Sequence, residues 1–236
     1  MILYVNGDSH AAAAEAVNNH AFAMDDGAYF YLGRRPHPDN QAVAWATQLA
    51  RAFKASLHLE AESASSNTRI LRTTRAWLDE RKNSVEDKLV VIQWSTWERE
   101  EWLYGDTYYQ VGSSGIDDIP PEAQERYRNF VIGTNWEAKT KEAHDKIWAF
   151  HLELATQGIP HVFFNGNNDF STIPVESKKD WGDNYIGPYD PTATYDAVLR
   201  AKGIQTVSPK SWHFGQDGHT AWFRYLLNYL INNKFI

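Results

Sequence analysis

The sequence predicts an α/β fold built on a mostly parallel sheet with helices on both faces. Short apolar runs alternate with helical patterns from one end of the chain to the other. The clearest run, Leu89 to Trp94 (Leu-Val-Val-Ile-Gln-Trp), lacks polar alternation, as expected of a strand buried on both sides. A chain of 236 residues with 43% hydrophobic and 22% charged side chains is also the right size for one sizeable core. With no internal repeat and no linker, residues 1–236 read as a single domain.

The elements follow in order. Ile2 to Val5 is an apolar run stopped by Asn6-Gly7, a buried strand opening the fold. The Ala-rich stretch Ala11 to Val17 predicts a short helix entered at Ser9. Asp39 can cap a second helix, Gln41 to Lys54, with Val43, Leu49, Ala50 and Phe53 near one face. Leu57 to Leu59 predicts a strand, Asn67 to Arg81 a helix, and Leu89 to Trp94 the third strand. Trp97 to Ile119 is irregular, with Gly105, Gly112 and Gly115 among aromatic residues. Pro120-Pro121 opens a helical region reaching Gln157 with a break near Gly133. His161 to Phe164 is a fourth strand, and 165–191 reads as loop. Tyr195 to Lys202 is a helix, Gln205 to Val207 a short strand, and Thr220 to Asn232 the terminal helix.

Sites in such sheets gather in the loops leaving the carboxyl ends of the strands. Gly7-Asp8-Ser9 occupies that position after the first strand. A serine there projects its hydroxyl from the sheet edge, and its amide can donate to an oxyanion; the plainer role for Asp8 or Ser9 is a helix cap. A serine nucleophile needs a base, and the base an orienting acceptor. Gln216-Asp217-Gly218-His219, before the last helix, supplies Asp217 and His219 in one stretch. His213 is a rival base, for which a structural role is favoured.

Taken together, Gly7-Asp8-Ser9 at one end and Asp217-Gly218-His219 at the other resemble the SGNH/GDSL hydrolases. The resemblance spans the chain in order and length. It implies a three-layer α/β/α sandwich on a mostly parallel, flavodoxin-like sheet. It also implies a serine esterase with Ser9 as nucleophile, His219 as base and Asp217 holding the imidazole. The family's second block, normally a Gly whose amide meets the oxyanion, falls on Ala64-Ser65-Ser66-Asn67, which is tolerable if Ala64 keeps a negative φ. The third block, normally carrying an Asn donor, falls on Gln93-Trp94-Ser95-Thr96, where no Asn stands. The resemblance therefore implies an oxyanion hole from the Ser9 and Ala64 amides with help from Ser95 or Thr96. Losing one donor can cost about 10²–10³ in rate. Asp8, Asn67, Trp94 and Arg99 are the expected substrate contacts, although Asn67 and Ser66 can equally cap a helix. Asp217 and His219 are one residue apart where the family has two, which places Gln216 in the usual Asp register. Either Asp217 orients His219, or a backbone carbonyl does, or the triad is degraded.

Other chemistries find little support. A net charge of −7 without a basic run argues against nucleic acid. With no Cys there is no disulfide, thiol nucleophile or thiolate metal site. His144 and His151, on one helical face, read as surface or core residues rather than a metal pair, and no P-loop or Gly-x-Gly-x-x-Gly is present. Glu98-Arg99-Glu100-Glu101 reads as a solvated helix start, with Arg99 free to recognise an anion. No signal peptide and no membrane span are evident, which predicts a cytoplasmic protein with no metal or organic cofactor. The expected reaction is hydrolysis of a small-molecule or carbohydrate ester, with sugar deacetylation the favoured version. The alternatives are acyl transfer from the same site, or a binding or assembly protein keeping the fold with little turnover.

Overall fold

Leu3, Tyr4 and Val5 have no exposed surface, and the strand that contains them, β1 (Ile2–Asn6), is the hub of a parallel sheet. The computed structural model describes residues 1–18, 25, 35–112 and 119–236. β1 pairs with β2 (Ser56–Leu59) on one side and with β3 (Lys88–Trp94) on the other. β3 pairs in turn with β6 (His161–Asn165), giving the order β2-β1-β3-β6.

The strands alternate between two cores. Leu3, Val5, Leu89, Val91, Val162 and Phe164 point into one cluster with α2 (Trp45–Phe53), α6 (Tyr195–Ala201) and α7 (Gln216–Asn232). Tyr4, Val90, Ile92, Trp94 and Phe163 point into the other, against α3 (Asn67–Glu80) and α5 (Trp136–Thr156). Each such Leu, Val or Phe contributes roughly 1.5–3 kcal/mol by leaving water. A run apolar at every position therefore needs helices on both faces, and it has them.

Several elements differ from expectation. The helix predicted over 41–54 is two, α1 (Pro38–Val43) and α2, because Ala44 takes an extended ψ of 145°. The predicted 120–157 helix breaks where expected, into α4 (Gln124–Gly133) and α5, whose first turn is capped by the Asn135 side chain on the Ala138 amide. The irregular stretch contains an antiparallel hairpin, β4 (Glu100–Tyr104) and β5 (Thr107–Val111), joined by Gly105-Asp106 with Gly105 at φ 55°. The strand expected at 205–207 is a single bridge between Thr206 and Phe214. The Ala-rich stretch is a string of turns rather than a helix, because Ala13 and Glu15 adopt φ of 57° and 62°. Finally, α7 begins at Gln216, so the Asp217-Gly218-His219 motif lies in its first turn and not in a loop. No helix among the described residues is long and apolar enough to cross a membrane.

Candidate functional site

The carboxyl end of β1 is fixed before Ser9 is reached. The Nδ2 of buried Asn6 lies within hydrogen-bond distance of the Tyr4 hydroxyl, the Ile70 carbonyl and the Thr73 and Thr74 hydroxyls, and its Oδ1 accepts from the Gly7 amide. Gly7 is required by a close approach: a Cβ there would sit 2.7 Å from Ala11 Cβ and 3.1 Å from Gln93 Cβ. Asp8 is buried and fully engaged. Its Oδ1 accepts from the His10 amide and Gln93 Nε2, each at 3.0 Å, and its Oδ2 from Ser95 Oγ at 3.0 Å and Arg99 Nη1 at 3.1 Å. Burial opposes ionisation of Asp8, but the charges of His10 and Arg99 and these hydrogen bonds hold its pKa below the ordinary value.

Ser9 follows, only 7% exposed. Its Oγ lies 2.9 Å from Nε2 of His213, and Nδ1 of the same ring lies 2.7 Å from Oε2 of Glu15. Ser211 Oγ donates to that same Glu15 oxygen at 2.6 Å and accepts the His213 amide at 3.0 Å. The His213 hydrogen bond, aided by that of Ser211 and opposed by partial burial, holds the Glu15 carboxyl below the ordinary carboxylate range. A charged acceptor on Nδ1 fixes the proton there and leaves the Nε2 lone pair facing the Ser9 hydroxyl. The left-handed φ at Ala13 and Glu15 costs roughly 1–3 kcal/mol per residue, strain of the kind that collects at functional sites. The Ser9 amide donates to no group among the described residues.

The base and acid expected from sequence are therefore corrected: His213 and Glu15, not His219 and Asp217, meet Ser9. His219 is buried inside α7, where its Nδ1 accepts the Trp45 amide at 3.4 Å. Burial and the proximity of His10 and His213 push its pKa down to about 3. Asp217 is exposed and accepts the Gly218 amide, an acidic residue suited to a helix N-terminus. Trp94 has no exposed surface and belongs to the core, so it cannot touch substrate. Asp8 is too buried and too fully hydrogen-bonded to do so. Asn67 is spent on Ser95, accepting its amide and donating to its carbonyl, while Ser66 is the helix cap. Ser95 Oγ is committed to Asp8 and Arg99, leaving no hydroxyl proton for an oxyanion. Ala64 sits at φ 55°, outside the negative range assumed for it, and Thr96 Oγ1 is buried without a partner among the described residues. Arg99 remains partly exposed, with Nη1 on Asp8 and Ser95. Among the described residues no group of three or more His, Asp or Glu is placed to hold a metal ion.

Buried His10 packs 5.2 Å from the His213 ring and against Tyr195, and its Nδ1 has no partner among the described residues. Burial pushes its pKa down to about 4. The signal for His213 was its place in a loop ahead of Gly215, the residue before the last helix; Glu15 carried no local signal in its Ala-rich surroundings.

The class so defined is an α/β protein with a serine, a histidine and a carboxylate in series beyond the carboxyl end of an internal strand of a parallel sheet. The profile of DUF6071, a family of unknown function, matches residues 33–151, half of the chain, and the chain belongs to that family. The matched region holds Asn67, Ser95 and Arg99; Ser9, Glu15 and His213 lie outside it. No curated protein matches the sequence.

Proposed function

We propose that the protein is a serine hydrolase acting on a carboxylic ester through Ser9, His213 and Glu15. The observation that carries the reading is the pair of hydrogen bonds on His213, 2.9 Å to Ser9 Oγ and 2.7 Å to Glu15 Oε2. In this mechanism His213 Nε2 takes the Ser9 proton as Oγ attacks the acyl carbon, forming an imidazolium that Glu15 stabilises through Nδ1–H. The same nitrogen then protonates the departing alcohol, and water attacks the acyl-serine by the reverse path. The Ser9 amide, without a partner among the described residues, serves the oxyanion. The fold proposed is the SGNH-type three-layer sandwich as one domain, supported by helices on both faces of the β2-β1-β3-β6 order. An acetylated sugar is the favoured substrate class, supported by exposed Trp212 between Ser211 and His213.

One observation favours a second reading, a binding protein with little turnover: Ser95 and Asn67 are both committed to structural bonds, so the oxyanion depends on backbone donors. Turnover of 4-nitrophenyl acetate by wild type and Ser9→Ala tests between them. Hydrolysis lost by at least about 10³-fold in Ser9→Ala supports the hydrolase. Equal rates in the two proteins refute it.

A further inference from the structure

We propose that the depression beside this site recognises a carboxylate on the substrate, with Arg126 as the specificity residue; this deepens the hydrolase reading and rests on it. The depression, of about 200 Å³, is lined by Asn67, Thr68 and Arg99 together with residues of β4, α4 and α5. Ser9, Glu15 and His213 do not line it; its link to the nucleophile is Arg99, whose Nη1 bonds Asp8, the neighbour of Ser9.

Its charges do not cancel. The lining carries Arg99, Arg126, Lys139 and Lys146 against Glu100, Glu101 and Glu142. Lys139 pairs with Glu100, Lys146 with Glu142 at 2.6 Å, and Glu101 is taken by Arg72, which lies outside the depression. Arg99 is shared with buried Asp8, but only through Nη1; Nη2 and Nε make no bond to the described protein. Arg126 makes no direct ion pair among the described residues, although its charge helps to lower the pKa of Glu100. Its guanidinium carbon lies over the Trp102 ring, 3.9 Å from the centroid, and its N–H groups make no hydrogen bond among the described residues. In a protein of net charge −7, a guanidinium with no direct ion pair among the described residues, in a depression that also holds the half-used Arg99, fits a carboxylate. The carboxylates of the lining, each held by its own cation, would repel an anion only weakly.

The test compares kcat/KM for 4-nitrophenyl hydrogen glutarate with that for the neutral 4-nitrophenyl pentanoate, in wild type, Arg126→Gln and Arg128→Gln. Arg128 is an exposed cation on the same helix that does not line the depression. The proposal expects wild type to prefer the anionic ester by about tenfold at low salt, the scale of one charged hydrogen bond. Arg126→Gln brings the ratio to within about twofold of one, and Arg128→Gln keeps it. No preference in wild type, or an Arg126→Gln ratio equal to wild type, overturns it. Calorimetric titration of glutarate into Ser9→Ala separates the two ideas without turnover. Binding weakened about tenfold by adding Arg126→Gln supports the site even if neither ester is cleaved. Absence of binding together with cleavage of only the neutral ester leaves the hydrolase and removes the carboxylate site.

Discussion

Replacing Glu15 by Gln removes the charge that faces His213 while preserving the shape of the side chain. An ion pair about 4 Å between charge centres is worth roughly 4 kcal/mol at an effective dielectric of 20. Both side chains are partly exposed, 22% for His213 and 33% for Glu15, so about half survives solvent screening. That is about 2 kcal/mol against the imidazolium formed in the transition state, or roughly 30-fold in rate. A second effect adds to it. The Gln amide can donate to Nδ1, which moves the imidazole proton to Nε2 and removes the acceptor from Ser9. Together the two predict a fall in kcat of about 10²–10³ with KM little changed, measured with 4-nitrophenyl acetate near pH 8. Asp217→Asn is the matched control, since Asp217 is exposed and, among the described residues, bonded only to the Gly218 amide, and should stay within about twofold. An Asp217→Asn loss larger than that of Glu15→Gln, with both proteins folded, would refute the assignment of the acid.

Three further outcomes follow from the same structure. Gly7→Ala should lower stability by about 1–3 kcal/mol in urea unfolding and displace Ser9, because its Cβ would lie 2.7 Å from Ala11 Cβ; a stable, fully active variant contradicts the close approach. Trp94→Ala should cost about 3–5 kcal/mol, the loss expected of a buried aromatic, and a purely substrate-binding Trp94 would instead raise KM in a stable protein. His10 and His219 are held neutral by burial down to about pH 4 and about pH 3, whereas the unfolded chain takes up these protons near pH 6.5. The unfolded state thus binds more protons in that window, so stability is full above about pH 6.5 and lost as pH falls toward 4 and 3. The Tm should drop steadily from pH 7 to pH 4.5, with a shallower slope in His10→Asn, and a flat Tm profile in wild type contradicts it.

What sequence reveals here depends on whether the signal is local. β3 was legible because a run of mostly apolar residues without alternation can only sit between two layers, and the break near Gly133 because glycine interrupts a helix; the Asn135 cap of the next helix was not read. The β4–β5 hairpin went unread although Gly105-Asp106 between Trp102-Leu103-Tyr104 and Thr107-Tyr108-Tyr109 is a two-residue turn pattern. Gly and aromatic residues spread over that stretch hid the alternation. At the site, Gly7-Asp8-Ser9 was legible because a strand end fixes where the serine stands. The base was not, because the start of α7 was placed four residues late; with Gly215 before the helix, His219 falls inside the first turns and His213 remains in the loop. Glu15 owes its position to a left-handed turn among buried alanines, a tertiary feature that no propensity encodes.

The central claim is that His213 activates Ser9, and covalent labelling reads it directly. Intact mass after incubation with a fluorophosphonate near pH 8 should show a single adduct on wild type. None should appear on Ser9→Ala, and His213→Gln should be slowed by at least about 10²-fold, while Asp217→Asn labels as wild type does. A folded wild-type protein that stays unlabelled, or a His213→Gln variant that labels at the wild-type rate, contradicts the account.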